Sequence, residues 1–104
     1  MKLPSLDSFL HQELRLKIMS LLISVESAEF TFLLEQTGAT KGNLSAQLSK
    51  LKDKEYIEIH KGFKGNYPLT TCKITSSGIK AFEAYVQAIT QLLNQQHMPK
   101  DNGK

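Results

Sequence analysis

The chain has 104 residues, of which 40% are hydrophobic and 22% are charged, with a formal net charge of +3 and one cysteine. This length suits one compact domain with a hydrophobic core and is too short for two. No apolar run approaches the roughly 20 residues that a membrane-spanning helix needs, and the N-terminal segment lacks the apolar core of a signal peptide. We therefore expect no membrane segment and no export. A single cysteine cannot form an internal disulfide bond, so a reducing cytoplasm is the expected compartment.

Positive charge is concentrated in one part of the chain. Positions 40–73 contain seven lysines and three acidic residues, whereas the rest of the chain is slightly acidic. Clustered positive charge is typical of a protein that binds a polyanion. A lysine-rich solvated surface is the alternative interpretation.

The first helix is predicted to run from an N-cap at Asp7 or Ser8 to about Ile23. It has two apolar stripes, of which the first contains Leu10, Leu14, Ile18, Leu21 and Leu22, and the second Leu16, Met19 and Ile23. A small core needs only the first, so the second is predicted to face the C-terminal helix or another subunit. Arg15 lies between the stripes. It is interpreted as a structural residue that forms an ion pair or snorkels to solvent, or else as a dimer contact.

A helix-turn-helix pattern follows. Residues 29–31 form a possible short strand, and Phe32 to Gln36 form a short helix that ends at Thr37 and Gly38. Glycine suits the left-handed position after a helix, and Thr40 is a natural N-cap for the next helix, predicted over residues 40–54. Two helices joined by a short turn that contains glycine are typical of this motif, although many helical corners share the pattern.

The helix predicted over residues 40–54 has a single narrow apolar stripe, formed by Leu44, Leu48 and Leu51. The remaining surface is polar or small, and it carries Gly42, Asn43, Ala46, Gln47, Lys50 and Lys54. Asparagine and glutamine amides can pair with base edges, lysine pairs with phosphate, and small residues let the backbone come close. This face therefore predicts a recognition helix for DNA.

A hairpin is predicted directly after this helix. Residues 56–60 alternate between apolar and polar positions, with Ile57 and Ile59 inward and Glu58 and His60 outward, as expected of a half-buried strand. Residues 61–68 are predicted to form a loop, and residues 69–75 a second strand. The loop carries basic and aromatic side chains, namely Lys61, Phe63, Lys64 and Tyr67, together with Asn66. A basic hairpin in this place is interpreted as a wing.

The last helix is predicted over residues 76–95, with Thr75, Ser76 and Ser77 as possible hydroxyl caps. Its apolar residues cover about half of the circumference, and at a rise of about 1.5 Å per residue it is nearly 30 Å long. Half of it is predicted to contact a second copy of the chain, unless one broad face lies along its own domain. Residues 1–95 are predicted to form the single domain, and residues 96–104 a flexible tail.

Neither metal binding nor catalysis is predicted. His11, His60, Cys72 and His97 are scattered without the paired spacing of metal ligands, and no phosphate loop or nucleophile motif is present. We expect no enzyme activity and no cofactor. Cys72 is interpreted as a buried thiol or an oxidation sensor, and His60 as a solvated side chain or a phosphate contact.

The ordered set of motifs resembles a known family. It lies in the stretch GATKGNLSAQLSKLKDKEYIEIHKGFKGNYPLTTCKITSSGIKAF, and the wider resemblance runs from Leu6 to Leu93. These residues resemble the small winged-helix transcriptional regulators of the MarR and ArsR type. The resemblance implies an α+β, mainly helical fold with a two-stranded wing. It also implies a homodimer that places two recognition helices in successive major grooves of a palindromic operator in double-stranded DNA.

The resemblance also implies site residues. The expected DNA contacts from the resemblance are Thr40, Lys41, Gly42, Asn43, Ser45, Gln47, Lys61, Lys64 and Asn66. Lys50, on the polar face described above, is expected to join them. The dimer interface is expected to contain Leu16, Met19, Ile23, Phe82, Tyr85, Val86, Ile89, Leu92 and Leu93. A small-molecule effector, if one binds, is expected between the first helix, the last helix and the partner. Metal sensing is not expected because clustered cysteines and histidines are missing from the sequence.

The expected mechanism is repression through an operator that overlaps a promoter. Activation of transcription is the alternative. The alternative is a winged helix that serves as a protein-protein adaptor or as a nonspecific nucleic-acid-binding module. An adaptor is expected to show apolar residues on the exposed helix face, whereas Asn43, Gln47 and Lys50 favour nucleic acid.

Overall fold

The computed structural model of the protein describes residues 2–95. Their elements, in chain order, are α1 (Glu13–Val25), β1 (Ser27–Glu29), α2 (Phe30–Thr37), α3 (Lys41–Asp53), β2 (Ile57–Lys64), β3 (Tyr67–Ile74) and α4 (Ser76–Gln95). This order confirms the predicted mainly helical winged helix with a hairpin wing and a long C-terminal helix. Met1 and the tail predicted for residues 96–104 lie outside the described residues. None of the described helices is both long enough and apolar enough to cross a lipid bilayer.

The three strands form one antiparallel sheet with β3 in the centre, in the order β1-β3-β2. Cys72 of β3 lies opposite Ala28 of β1 on one side and opposite Ile59 of β2 on the other. Cross-strand partners share a face of a sheet, so these residues form an apolar face together with Ile57 and Ile74. The predicted inward and outward alternation of β2 is confirmed, since Ile57 is buried and Glu58 and His60 are exposed.

The helices cover this apolar face and form one core. Its fully buried large side chains are Leu10, Ile18, Met19, Leu22, Leu33, Leu44, Leu51 and Cys72. Complete burial of one leucine stabilises a fold by about 1.5–3 kcal/mol. The leucine stripe predicted for α3 is confirmed, because Leu44, Leu48 and Leu51 are all buried. This burial decides which face of α3 is left for a partner.

The start of the first helix was predicted wrongly. α1 begins after Gln12, whose extended backbone and side-chain oxygen make it the N-cap, with Oε1 accepting from the Arg15 N–H at 2.7 Å. Asp7 caps an earlier turn instead, since its carboxylate accepts from the Phe9 N–H at 2.9 Å. The separate turn lets Leu10 enter the core before α1 begins.

The turn between α2 and α3 agrees with its prediction. Gly38 has a left-handed backbone with φ of 70°, and its N–H donates to the Leu34 carbonyl. Thr40 caps α3, because its hydroxyl accepts from the Asn43 N–H at 3.1 Å. The short strand lies slightly earlier than predicted, over Ser27–Glu29, where it can pair with β3.

The wing is longer and more regular than the sequence predicted. Residues 61–68 are not a loop, because β2 continues to Lys64 and β3 begins at Tyr67. Only Gly65 and Asn66 form the turn, and Gly65 has φ of 63°, a conformation that glycine adopts without steric cost. The other glycine, Gly62, lies within β2 opposite Leu69. A two-residue hairpin turn with glycine in its first position explains this register.

α4 begins at a tight corner against the end of α3. The Thr75 hydroxyl accepts from the Gly78 N–H at 3.0 Å and donates to the Glu55 carbonyl at 2.7 Å. The Thr75 N–H also donates to the Tyr56 carbonyl at 3.0 Å. A Cβ atom on Gly78 would lie 2.1 Å from the same Tyr56 oxygen, so only glycine fits here without a shift. Thr75 is thus the hydroxyl cap predicted for this helix.

Candidate nucleic-acid interface

The exposed face of α3 has small residues along its centre. Gly42, Ala46 and Ser49 recur at helical spacing on the side away from the leucine stripe, and all three are exposed. No other group lies within 4 Å of the position where a Cβ on Gly42 would be. Asn43 and Lys50 lie beside this strip. The backbone of α3 can therefore approach a partner closely, with an amide and an ammonium group at its side.

All but one of the residues predicted to contact DNA are exposed. Those at the start and along α3 are Thr40, Lys41, Gly42, Asn43, Ser45 and Lys50, and those of the wing are Lys61, Lys64 and Asn66. α3 and β2 contact each other and are joined directly by residues 54–56. The two groups of residues therefore belong to elements that are neighbours in the fold.

Gln47 is the exception, and its predicted exposure was wrong. Its side chain is only 8% exposed, and its Oε1 accepts from Nη1 of Arg15 at 2.5 Å. Its Nε2 donates to Oδ1 of Asn43 at 3.3 Å. Gln47 lies at the edge of the leucine stripe, where α1 covers it. A buried amide needs hydrogen-bond partners, and Arg15 and Asn43 supply them.

Arg15 makes structural contacts within its own chain, as one of the two interpretations of its sequence position expected. Its Nε donates to the Phe9 carbonyl at 2.7 Å, and its guanidinium group lies 4.3 Å from the centre of the Phe9 ring. The Phe9 ring also makes an edge contact with Tyr56. Arg15 therefore joins the N-terminal turn and α1 to α3 through Gln47. Sequence reasoning missed this link because 32 residues separate Arg15 from Gln47.

The outer half of the wing carries basic and aromatic side chains on both faces. Phe63 lies opposite Pro68, on the face that continues from Ile59, whereas Tyr67 lies opposite Lys64 on the other face. Phe63 and Tyr67 are 75% and 78% exposed, although both are large and apolar. Exposed aromatic rings beside lysines suit contact with sugars, bases or phosphates of a nucleic acid.

Two residues predicted for the dimer interface belong to the core of the single chain. Met19 is 0% exposed and Tyr85 is 3% exposed, so neither has surface left for a partner. The Tyr85 hydroxyl lies 2.7 Å from Nδ1 of His11, which joins α4 to the segment before α1. The other predicted residues keep some exposed surface, and they are Leu16, Ile23, Phe82, Val86, Ile89, Leu92 and Leu93.

Cys72 and His60 have ordinary surroundings. Cys72 is buried in the sheet, and burial raises the pKa of its thiol to about 11. The thiol is therefore protonated at neutral pH, which favours the structural interpretation over oxidation sensing. His60 is exposed, and its Nε2 lies 2.9 Å from the Glu58 carboxylate. Within residues 2–95, no cluster of three or more His, Cys, Asp or Glu side chains is suited to hold a metal ion.

Comparison with known families decides what kind of domain this is. Residues 14–93 match the family described as "Winged helix DNA-binding domain". The chain belongs to this family. An uncharacterized protein of Methanocaldococcus jannaschii is 38% identical over 78 residues, which cover 75% of this chain and 85% of the relative. The matched range contains nearly all of α1, all of α2, α3 and the wing, and most of α4, so the family agrees with the resemblance found in the sequence.

Solved structures agree with the fold of this winged-helix chain. A transcriptional regulator homologue from Pyrococcus horikoshii superimposes with a TM-score of 0.83 at 21% identity, over 88% of this chain and 91% of that one. A mutant MarR from E. coli, solved in complex with operator DNA, superimposes with a TM-score of 0.66 at 20% identity. That match covers 86% of this chain and 69% of MarR. At these identities the likeness concerns the fold.

Proposed function

We propose that this winged-helix protein is a sequence-specific transcriptional regulator that binds a palindromic operator as a homodimer. The exposed face of α3 is the observation that carries the proposal. Its centre is formed by Gly42 and Ala46, and Asn43 and Lys50 lie beside it. The major groove of B-DNA is wide enough for a helix, and it presents a different set of donors and acceptors for each base pair. A helix with small residues along its exposed face and an amide beside them suits that groove.

The wing is proposed to contact the DNA backbone or the minor groove. Lys61 and Lys64 are exposed on strands that extend beyond the core, and Asn66 lies in the turn. Lysine pairs with phosphate as a flexible point charge and does not discriminate between bases. The wing is therefore assigned to affinity and orientation, and α3 to sequence preference. The operator-bound MarR, which shares this fold, supports DNA as the ligand.

A homodimer is proposed because α4 keeps apolar surface that its own domain does not cover. Among the residues of α4 whose burial is described, only Gly78 and Tyr85 are buried, whereas Val86 and Leu93 are 42% and 54% exposed. The interface is assigned to the partly exposed residues of α1 and α4 named above, without Met19 and Tyr85. A two-fold dimer places its two α3 helices on half-sites about 10 base pairs apart.

The proposal extends to repression in the cytoplasm by one domain that spans residues 1–95. A dimer on an operator that overlaps a promoter excludes RNA polymerase sterically. Repression by a bound dimer is tested with a promoter that carries the selected operator, transcribed in a purified system. A fall in transcript with increasing protein supports it, and a rise indicates activation instead.

Binding itself is tested by sedimentation of the purified protein with genomic duplex fragments at increasing salt. We expect a dimer that retains a subset of fragments as salt rises. Lys64→Ala should weaken binding to all fragments alike and reduce the slope of log K against log salt by about one. Lys80→Ala, which removes an exposed lysine of α4, is the matched control and should leave the slope unchanged. A monomer, or retention that disappears uniformly for all fragments, would indicate an adaptor or a nonspecific binder.

A further inference from the structure

Three side chains form a hydrogen-bonded chain from α1 to the exposed edge of α3. Nη1 of Arg15 donates to Oε1 of Gln47 at 2.5 Å, and Nε2 of Gln47 donates to Oδ1 of Asn43 at 3.3 Å. Arg15 lies in α1, Gln47 is buried, and Asn43 is exposed on the face proposed to meet DNA. The chain thus begins behind the recognition helix and ends at its surface.

The chain has a direction that follows from the chemistry of its first member. A guanidinium group has only donors, so the amide of Gln47 must turn its oxygen toward Arg15. Its NH2 group then faces Asn43, which must turn its own oxygen toward Gln47. The NH2 group of Asn43 is consequently the end of the amide that points away from Gln47. A guanidinium group has no acceptor, so this order of donors does not reverse.

Arg15 is itself held firmly at the start of this chain. Its Nε donates to the Phe9 carbonyl at 2.7 Å, its guanidinium lies over the Phe9 ring, and its backbone N–H donates to the Gln12 side chain at 2.7 Å. The two contacts with Phe9 restrain the guanidinium group, and the backbone bond fixes the position of Arg15 at the start of α1. The orientation that it imposes on Gln47 is therefore present before any ligand binds.

We propose that Arg15 is a positioning residue that makes Asn43 a hydrogen-bond donor toward DNA, so that the base read by Asn43 is guanine. In the major groove, guanine presents two acceptors, N7 and O6, whereas adenine presents one acceptor and one donor. An asparagine that pairs with adenine must offer its oxygen and its NH2 group to the base at the same time. The Asn43 oxygen is turned toward Gln47, which disfavours this two-bond pairing with adenine. Guanine offers two acceptors to the Asn43 NH2 group, whereas adenine and thymine each offer only one, so guanine is the best match. This inference rests on the proposed function.

A purely structural role for the Arg15–Gln47 contact makes a different prediction. In that case the substitutions change the stability of the fold and leave the base preference of the bound protein unchanged. The two roles are therefore separated by measuring base preference and unfolding independently for each variant.

The experiment is selection of binding sites from a random duplex library at fixed salt, with thermal unfolding measured for every variant. For the wild-type protein we expect one position in each half-site that selects guanine and that loses its preference in Asn43→Ala. Gln47→Glu keeps an acceptor for Arg15 but lacks the NH2 donor, so the Asn43 amide can rotate. Its guanine preference should fall at least about fivefold, with adenine gaining, since a good base contact contributes about 1–3 kcal/mol of discrimination.

Two substitutions of Arg15 give a matched pair. Arg15→Lys keeps a side chain that only donates, and it should retain the guanine preference. Arg15→Met keeps an unbranched apolar side chain but has no donor for Gln47, and it should lose the preference as Gln47→Glu does.

The outcomes distinguish this inference from the function on which it rests. If the wild-type protein binds every sequence alike, the proposed function fails and this inference fails with it. If the wild-type protein selects an operator but its Asn43-dependent position is adenine, thymine or cytosine, the function stands and the inference is overturned. Unchanged guanine preference in a folded Gln47→Glu protein overturns it in the same way.

Discussion

The two regions proposed to meet DNA, α3 and the outer wing, are held in place by different forces. α3 buries Leu44, Leu48 and Leu51 along its length, and its exposed Asn43 is tied to Gln47 behind it. The wing beyond Ile59 is held by the backbone hydrogen bonds of the β2-β3 ladder, and residues 61–68 all have exposed side chains. Only the first region has its surface groups oriented from within the core.

This difference corresponds to the kind of contact each region is proposed to make. A base edge rewards a donor only when the donor points in one direction, so side chains that read bases benefit from orientation before binding. A phosphate accepts a charged donor from many directions, so the exposed Lys61 and Lys64 need no such orientation before binding. On this proposal, the helix anchored in the core supplies sequence preference and the exposed hairpin supplies affinity.

The largest expected contrast is in stability. Leu44→Ala removes a fully buried side chain of α3 and should lower the free energy of unfolding by about 2–5 kcal/mol. Phe63→Ala, at an exposed position of the wing, should change it by less than about 0.5 kcal/mol. Urea unfolding of both variants measures the difference. Similar losses for the two would mean that the outer wing is part of the cooperative core.

The second expected contrast lies within the hairpin. Burial raises the pKa of the Cys72 thiol to about 11, so little thiolate is present at pH 8, and we expect labelling by a disulfide reagent to be at least about tenfold slower than in the unfolded chain. Tyr67→Cys in a Cys72→Ala background places a thiol on the exposed half of the same strand and should label rapidly. Equal rates at the two positions would contradict a buried inner half.

The same thiol gives a pH dependence of stability. Because its pKa is raised by folding, its contribution is fully present below the unfolded pKa and is lost as the pH rises through about 11. The difference in unfolding free energy between the wild-type protein and Cys72→Ala should therefore shrink as alkali is added. This comparison cancels the titration of tyrosines and lysines that the two proteins share. A difference that stays constant to pH 11 would show that the thiol does not titrate in this range.

The smallest expected effect concerns the start of α3. Thr40→Ala removes the hydroxyl that accepts from the Asn43 N–H and should lower the free energy of unfolding by about 1 kcal/mol. Ser45→Ala, at an exposed position within the same helix, is the control and should change it by less than about 0.5 kcal/mol. An equal effect of both would show that α3 does not depend on its cap.

Local patterns in the sequence predicted much of this architecture. The leucine stripe, Gly38 and Thr40 predicted where α3 begins and ends to within a residue or two, because spacing and capping are properties of short stretches. The alternation of Ile57 to His60 predicted β2 in the same way. The length of the wing could also have been predicted from local sequence, since Gly65 and Asn66 are typical of a two-residue hairpin turn. Gly62 obscured this signal because it resembles a loop residue.

The errors at the candidate site come from contacts between distant parts of the chain. Nothing near Gln47 in the sequence shows that Arg15 covers it, and an isolated glutamine beside a leucine stripe is usually solvated. Met19 and Tyr85 fall on apolar stripes whose direction relative to the core depends on how α1 and α4 cross. Helical periodicity finds such stripes but does not decide which of two stripes faces inward.

The corner between Glu55 and Gly78 has a consequence for the operator. There the Thr75 hydroxyl and N–H donate to the Glu55 and Tyr56 carbonyls, and Gly78 packs against the Tyr56 carbonyl, so the direction of α4 is set by the segment that joins α3 to β2. In a dimer joined through α4, the separation of the two α3 helices would follow from this angle. The number of base pairs between the half-sites would then depend on one hydroxyl and a few backbone groups outside the face proposed to meet DNA.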